Sequence, residues 1–155
     1  GMVAVEPTQD VPDASMAASG DADVFIGAAA VVDFRPESVA TQKIKREGST
    51  TMDLKLVSNP DIIASIAARQ VRPSLVVGFA AETNDVTTYA RNKLKKKRLD
   101  FIFANDVSDS AIGFNSDSNA GTLISADNDI TMALSSKRVL AETMIAELAK
   151  HLPET

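Results

Sequence analysis

The sequence predicts a three-layer α/β fold in which helices cover both faces of a mainly parallel sheet. Uninterrupted apolar runs, typical of strands buried on both faces, occupy Val24–Val32, Leu75–Ala80 and Phe101–Ala104. Segments with helical periodicity separate these strands, which is the pattern of parallel strands joined by crossover helices. Near the end of the chain, Thr122–Ser125 and Ile130–Leu134 are separated by acidic turn residues and predict a closing hairpin.

The remaining elements are shorter. Further strands are predicted at Val3–Val5 and Met52–Val57, the second with the alternation of a half-exposed strand. Helices are predicted at Pro12–Ala18, from Asn59, from Asn84 and over Ser135–His151. Asn59 is expected to cap the second of these, with Pro60 at its first position. The residues of the last helix predicted to face the core are Val139, Leu140, Met144, Ile145 and Leu148.

Composition narrows the possible functions. The 155 residues have the size of one domain and are 45% hydrophobic, which excludes a disordered acidic chain. There is no cysteine, which excludes a disulfide scaffold and a thiolate nucleophile, and the single His151 argues against a Ser-His-Asp triad or a multi-histidine metal site. No apolar run approaches the roughly 20 residues that cross a bilayer, so a cytoplasmic protein without membrane contact is expected.

Charge is unevenly distributed along the chain. Residues 35–98 carry a net charge of +7, whereas the segments before and after them carry −6 each, and the total is −5. A basic centre in an acidic chain indicates a local anionic ligand. Only 5% of the residues are aromatic and none interrupts the basic run Arg91–Arg98, so nucleic-acid binding is not expected.

Small residues at the end of the first buried strand favour a binding site. Gly27, Ala28 and Ala29 would let a flat base approach the backbone at the carboxyl edge of the sheet, where ligands of open α/β sheets bind. Alanine-rich packing under a helix explains the same residues equally well. Asp33, just past the strand, is a candidate for Mg²⁺ or a ribose hydroxyl, and a turn-capping aspartate is the alternative.

Residues 34–51 form an eighteen-residue polar stretch without helical or strand periodicity. Loops of this length in a compact domain are commonly functional, so we predict a flap. Its cations, Lys43, Lys45 and Arg46, would cover a polyphosphate, and an ordinary solvated loop is the alternative.

Two further segments carry candidate ligands. The helix start at Asn59–Ile62 presents backbone N–H groups that could bind a nucleotide, although plain capping explains the same residues. Lys93 and Lys97 lie one helical turn apart and could grip a phosphate or base, although exposed helices are often lysine-rich. Phe79 could stack on a base or belong to the core.

The ordered set of motifs is more specific than any one of them. In chain order they are AAAVVDFRP, QKIKR, NPDI, VGFAAETNDVTTYARNKLKKKRLDFIFANDVS and GFNSDSNAGTLI. From about Asp23 to the last helix, the sequence resembles the bacterial phosphopantothenoylcysteine synthetase family, in many bacteria the C-terminal half of a bifunctional coenzyme A biosynthesis protein. The resemblance implies a Rossmann-like fold.

The resemblance also implies an activity. In that family, CTP activates 4′-phosphopantothenate to an acyl-cytidylate with loss of pyrophosphate, Mg²⁺ assists, and the amine of cysteine displaces CMP. Lys43 would bind phosphate and assist the first step, and Asp33 would lie near the ribose or the metal. The implied nucleotide-binding residues are Gly27, Ala28, Ala29, Asp33, Lys43, Asn59, Pro60, Asp61, Ile62, Phe79, Lys93 and Lys97. The sequence leaves CTP against ATP open.

One departure from the family bears on activity. The family's domain begins with a Gly-rich strand–loop–helix unit, and an FMN-dependent decarboxylase precedes it in the bifunctional proteins. No such unit precedes Val24, so residues 1–155 are expected to be one nucleotide-binding domain without it, which alone binds nucleotide weakly and turns over little or not at all. The resemblance implies a homodimer. The alternative function is a noncatalytic nucleotide-binding or assembly module that keeps only the pocket.

Overall fold

The computed structural model describes residues 10–46, 48, 50–82, 85–106 and 117–153. The predicted strand Val3–Val5 and the predicted helix start at Asn84 lie outside them. The elements in chain order are α1 (Asp10–Ala18), β1 (Val24–Gly27), β2 (Phe34–Pro36), β3 (Leu56–Ser58), α2 (Ile62–Ala67), β4 (Leu75–Glu82), α3 (Val86–Lys97), β5 (Phe101–Asp106), β6 (Ser118–Ile124), β7 (Asp129–Ser136) and α4 (Lys137–Ala149).

A five-stranded sheet forms the centre of the fold, in the order β1-β4-β5-β6-β7. Strands β1, β4 and β5 are parallel to one another, and the β6–β7 hairpin pairs with β5 in the antiparallel direction. Parallel neighbours need crossover connections, and α2 and α3 supply helices to these connections. The α/β class, the parallel strands and the closing hairpin predicted from the sequence are confirmed.

Helices pack on both faces of the sheet, so the predicted three layers are present. On one face, Ile66 of α2 and Leu94 of α3 are buried against Val76 and Ile102, with Met16 of α1 beside them. On the other face, α4 buries Leu140, Met144 and Leu148, in a cluster with Phe103 and Leu123 of the sheet. Each such side chain, once buried, contributes about 1.5–3 kcal/mol of apolar transfer free energy.

The first buried strand is shorter than predicted. The expectation of a strand over Val24–Val32 is wrong beyond Gly27, where β1 ends in register with Gly78. The following residues leave the sheet, and Val32 is 56% exposed. The apolar residues after Gly27 are therefore not part of a buried strand. Residues 28–32 line a cavity instead.

Residues 34–36 are not the irregular loop that the sequence predicts. They form β2, which pairs antiparallel with β3 from Phe34↔Ser58 to Pro36↔Leu56. The strand predicted at Met52–Val57 is wrong in its first half, because β3 covers only Leu56–Ser58. We call this two-stranded sheet, separate from the five-stranded one, the ribbon.

The helix starts differ from those predicted. Asp61, not Asn59, caps α2: its side-chain carboxylate accepts from the Ala64 N–H at 3.1 Å, and Pro60 lies before the helix. An aspartate carboxylate is an effective cap because it accepts a bond from an otherwise unpaired N–H of the first turn. Strand β7 extends to Ser136, which caps α4, so that helix begins two residues later than predicted.

The predicted core face of α4 is partly wrong. Leu140, Met144 and Leu148 are buried as expected, but Val139 and Ile145 are 50% and 53% exposed. The buried residues follow one another at spacings of four, which defines a narrow stripe on the helix. Val139 and Ile145 lie beside this stripe, so contact with the sheet leaves half of their surface open.

A half-buried ion pair joins the connections that enter β4 and β5. Asp100 accepts from the guanidinium of Arg72 and, at 2.7 Å, from the Val76 N–H. Arg72 also donates to the carbonyl of Arg98 at 3.0 Å. We call this group the Arg72–Asp100 clasp; it ties the end of α3 to the start of β4.

Within the described part of the chain, no helix is long and apolar enough to cross a membrane.

Candidate functional site

A cavity of about 440 Å³ opens at the carboxyl ends of β1 and β4, the edge where ligands of parallel sheets bind. Its walls come from α1, the chain after β1, the start of α2, the end of β4 and α3. Of the twelve candidate residues, eleven line it: Gly27, Ala28, Ala29, Asp33, Asn59, Pro60, Asp61, Ile62, Phe79, Lys93 and Lys97. Four separate stretches of sequence therefore meet in one place.

Two glycines are closely packed in the wall formed by the sheet. A Cβ at Gly27 would lie 3.0 Å from Cδ1 of Ile63, and one at Gly78 would lie 2.8 Å from Cδ1 of Leu99. Both distances are shorter than ordinary van der Waals contact, so a larger residue would require the ends of the Ile63 and Leu99 side chains to shift. Because Ala28 and Ala29 are exposed and tiny, the wall offers backbone rather than bulky side chains to a ligand.

Four charged residues line the cavity, and two of them form an ion pair. The ammonium of Lys97 lies 2.9 Å from the Asp61 carboxylate, and its side chain is 30% exposed. Lys93 lies one turn earlier on α3 and is half-buried. With Asp33, the lining carries two carboxylates and two ammonium groups, and so has no net charge. A polyanion bound here would need further positive charge.

Lys43 is the candidate that the structure does not bring to the cavity wall. It is exposed, on the segment between β2 and β3, and the lining does not include it. That segment also carries Lys45 and Arg46, so its cations lie beyond the far end of the ribbon.

The described residues contain no group of three or more His, Cys, Asp or Glu side chains that could hold a metal ion. The cavity carries two carboxylates, Asp33 and Asp61, and that of Asp61 is paired with Lys97. That donor set does not fit a metal held by protein alone. It fits Mg²⁺ that takes most of its ligands from phosphates and water, the usual arrangement in nucleotide sites.

Phe79 lies between two cavities. Its side chain is 39% exposed, and its ring centroid lies 5.6 Å from that of Phe103. It also lines a second cavity of about 500 Å³, together with Asn105 and residues of α4. The exposed ring is thus available to a ligand, while its contact with Phe103 anchors it to the sheet.

Residues that are not among the candidates selected from the sequence also contribute to the cavity region. Val11 and Ser15 of α1 line it, although the sequence marks that helix only by weak periodicity. Arg35 hydrogen-bonds to Asn59 at 3.0 Å from behind the wall. The FRP motif contains Arg35. Because residues 34–51 are assigned to an irregular loop from the sequence, the contact with Asn59 is not predicted.

The sequence profile of the DNA/pantothenate metabolism flavoprotein C-terminal domain matches residues 1–152. The chain belongs to this family. The chain is similar to the coenzyme A biosynthesis bifunctional proteins CoaBC of Vibrio parahaemolyticus, 48% identical over 93% of this chain, and of Escherichia coli K12, 45% identical over 85%. The chain spans only 36% and 33% of the length of these two relatives.

Solved structures agree with this membership. The C-terminal domain of a CoaBC protein is 29% identical and superposes with a TM-score of 0.73 over 94% of this chain and 63% of its own. A DNA/pantothenate metabolism flavoprotein from Streptococcus pneumoniae, 19% identical, shares the fold with a TM-score of 0.71, covering 97% of this chain and 71% of its own.

Proposed function

We propose that this chain is the nucleotide-binding part of a phosphopantothenate–cysteine ligase of coenzyme A biosynthesis. The observation that carries the proposal is the cavity, in which eleven candidate residues from four stretches of sequence line one surface. The named relatives act in coenzyme A biosynthesis, which supports the pathway. The use of CTP, the metal and a homodimer rest on the family resemblance alone.

In the proposed complex, the base and ribose of CTP lie against Gly27, Ala28 and Ala29, and Phe79 packs at their edge. Lys93 and Lys97 contact the nucleotide from α3. Because the lining has no net charge, the triphosphate must be neutralised by groups from outside it. Lys43 on the segment beyond the ribbon would supply such a charge, and a divalent cation would supply more.

The proposed reaction activates a carboxylate, which is a poor electrophile until its oxygen becomes part of a good leaving group. The carboxylate oxygen of 4′-phosphopantothenate attacks the α-phosphorus of CTP, and the bond to pyrophosphate breaks. The amine of cysteine then attacks the acyl carbon, loses a proton, and releases CMP. Mg²⁺, held by Asp33 and the phosphates, would neutralise charge on the leaving pyrophosphate.

Nucleotide binding is tested by calorimetric titration of the chain with CTP and with ATP. We expect CTP to bind more tightly and Lys97→Ala to weaken CTP binding by about tenfold, because a charge-assisted contact is lost and Asp61 loses its ion-pair partner. Lys95→Ala is the matched control, since Lys95 is exposed in the same turn of α3 and does not line the cavity. Absence of CTP binding at millimolar concentrations would refute the proposal.

Turnover is tested by pyrophosphate release with CTP, 4′-phosphopantothenate and cysteine. The assay uses this chain alone and the same chain joined to the amino-terminal part of the Escherichia coli relative. We expect little or no release from the chain alone and release from the extended protein, slowed by Lys43→Gln and unaffected by Lys95→Gln. CTP binding without release from either protein would favour a noncatalytic nucleotide-binding module.

A further inference from the structure

Asn59, before α2, is hydrogen-bonded to the chain that follows β1, and both segments line the cavity. Its backbone N–H donates to the carbonyl of Asp33 at 2.8 Å, and its side-chain Nδ2 donates to the carbonyl of Val32 at 2.7 Å. From behind, Nη1 of Arg35 donates to Oδ1 of Asn59 at 3.0 Å and to the carbonyl of Ser58 at 3.1 Å. We call this group the Arg35–Asn59 clasp.

The clasp uses both ends of the Asn59 amide. The amide can bind Val32 through nitrogen only if its oxygen points the opposite way, where Arg35 satisfies it. A charged donor holds such an oxygen more strongly than a neutral one. Arg35 thus fixes the amide orientation, and through it the positions of Val32 and Asp33. It is absent from the cavity lining itself.

Arg35 also joins the wall to the ribbon. It is the middle residue of β2 and pairs with Val57 of β3. Its side chain is half-buried, and its guanidinium reaches the wall at the point where the ribbon leaves it. The Arg35 side chain therefore contacts both the cavity wall and the base of the ribbon, which is the end nearest to that wall. Lys43 lies on the segment that connects the two strands of the ribbon.

We propose that Arg35 is a positioning residue for nucleotide binding: it acts through Asn59, without touching the ligand, by holding the Val32–Asp33 wall and the base of the ribbon in one arrangement. The proposal rests on the proposed nucleotide site. It predicts that a lysine cannot replace Arg35, because one compact ammonium does not reproduce the planar NH₂ group that bonds two oxygens at fixed angles.

The test is a double-mutant cycle on CTP affinity with Arg35→Met, Asn59→Ala and the double variant. We expect each single variant to weaken CTP binding by about tenfold, the scale of one charge-assisted hydrogen bond. The double variant is expected to bind no more weakly than Asn59→Ala alone, because the arginine acts through the asparagine. Losses that multiply to about a hundredfold would overturn the proposal.

Two controls separate positioning from charge and from folding. Arg35→Lys is expected to bind CTP as weakly as Arg35→Met, and wild-type affinity in it would show that charge alone matters. Glu37→Gln breaks the exposed Lys55–Glu37 ion pair just beyond the end of the ribbon and should leave affinity unchanged. A change of more than about 2 °C in the melting temperature of Arg35→Met would indicate a general stabilising role and overturn the proposal.

A measurement without ligand completes the test. In Arg35→Met, the backbone N–H of Asn59 should exchange with solvent faster than in the wild type, because the clasp that holds it is open. Unchanged exchange would refute the clasp. If the wild-type protein fails to bind CTP, the proposed function fails; if it binds and Arg35→Met binds equally well, only the positioning role fails.

Discussion

The Arg72–Asp100 clasp provides the sharpest test of how the layers are held together. Asp100→Ala removes the acceptor of two hydrogen bonds, one from Arg72 and one, at 2.7 Å, from the Val76 N–H. The side chains of the pair are only 25% and 33% exposed, so water replaces these bonds incompletely. Asp100→Asn retains an oxygen that can accept from Val76 but loses the ionic partner of Arg72.

The magnitudes follow from the two kinds of bond. A hydrogen bond to a charged group contributes about 1.5–3 kcal/mol net when it is buried, and partial exposure reduces this value. We therefore expect Asp100→Ala to lower the free energy of unfolding by about 2–3 kcal/mol and Asp100→Asn by about 1 kcal/mol. Glu142→Gln is the control: the Arg138–Glu142 pair has the same chemistry at 2.9 Å, but its side chains are 88% and 62% exposed.

Urea denaturation followed by circular dichroism measures these differences by linear extrapolation. The control should change the free energy of unfolding by less than about 0.5 kcal/mol, as exposed pairs do. A loss of less than about 0.5 kcal/mol in Asp100→Ala would refute the reasoning. Equal losses in the alanine and asparagine variants would show that the Val76 bond contributes nothing.

Three further predictions concern other elements. Gly121→Ala should lower stability by about 3 kcal/mol in urea denaturation, because a Cβ would lie 2.4 Å from the backbone oxygen of Ala104; a near-wild-type midpoint would contradict this packing. Arg98 ends α3 in the left-handed region at φ 56°, so Arg98→Gly should raise stability by about 0.5–1 kcal/mol, and a loss in the same assay would show that strain is absent there. The hydrogen bond from Lys150 lowers the pKa of Glu147 from 4.5 against the opposing effect of partial desolvation. This contribution is present above pH 4.5 and lost as pH falls through the lowered pKa, and a ¹³C NMR titration of the carboxyl group with a midpoint at or above 4.5 would contradict it.

The predictable parts of the fold are those in which the local pattern and the packing agree. Leu75–Ala80 and Phe101–Ala104 read as buried strands because both of their faces are covered, and β4 and β5 contain them. Val24–Val32 has the same pattern, but only its first four residues are a strand. An apolar run alone does not distinguish a strand buried on both faces from a stretch of small, uncharged residues that leaves the sheet and lines a cavity.

The site shows a similar division. The residues at the carboxyl ends of β1 and β4 could be placed together, because parallel topology brings those ends to one edge. The link between Arg35 and Asn59 spans 24 residues and depends on the pairing of β2 with β3. These three-residue strands contain too few positions for a periodic pattern, so the amino-acid sequence does not indicate that β2 pairs with β3.

The ribbon shares no strand with the five-stranded sheet, so its hydrogen bonds can break without breaking those of β4 and β5. In native-state hydrogen exchange we expect the Val57 amide to exchange through local openings that denaturant hardly affects, and the Val77 amide to exchange only with global unfolding. If Arg35 positions the nucleotide site as proposed, substitutions in the ribbon can alter ligand affinity with little effect on folding stability. The fold thus lets one short segment vary its function independently of the core that supports it.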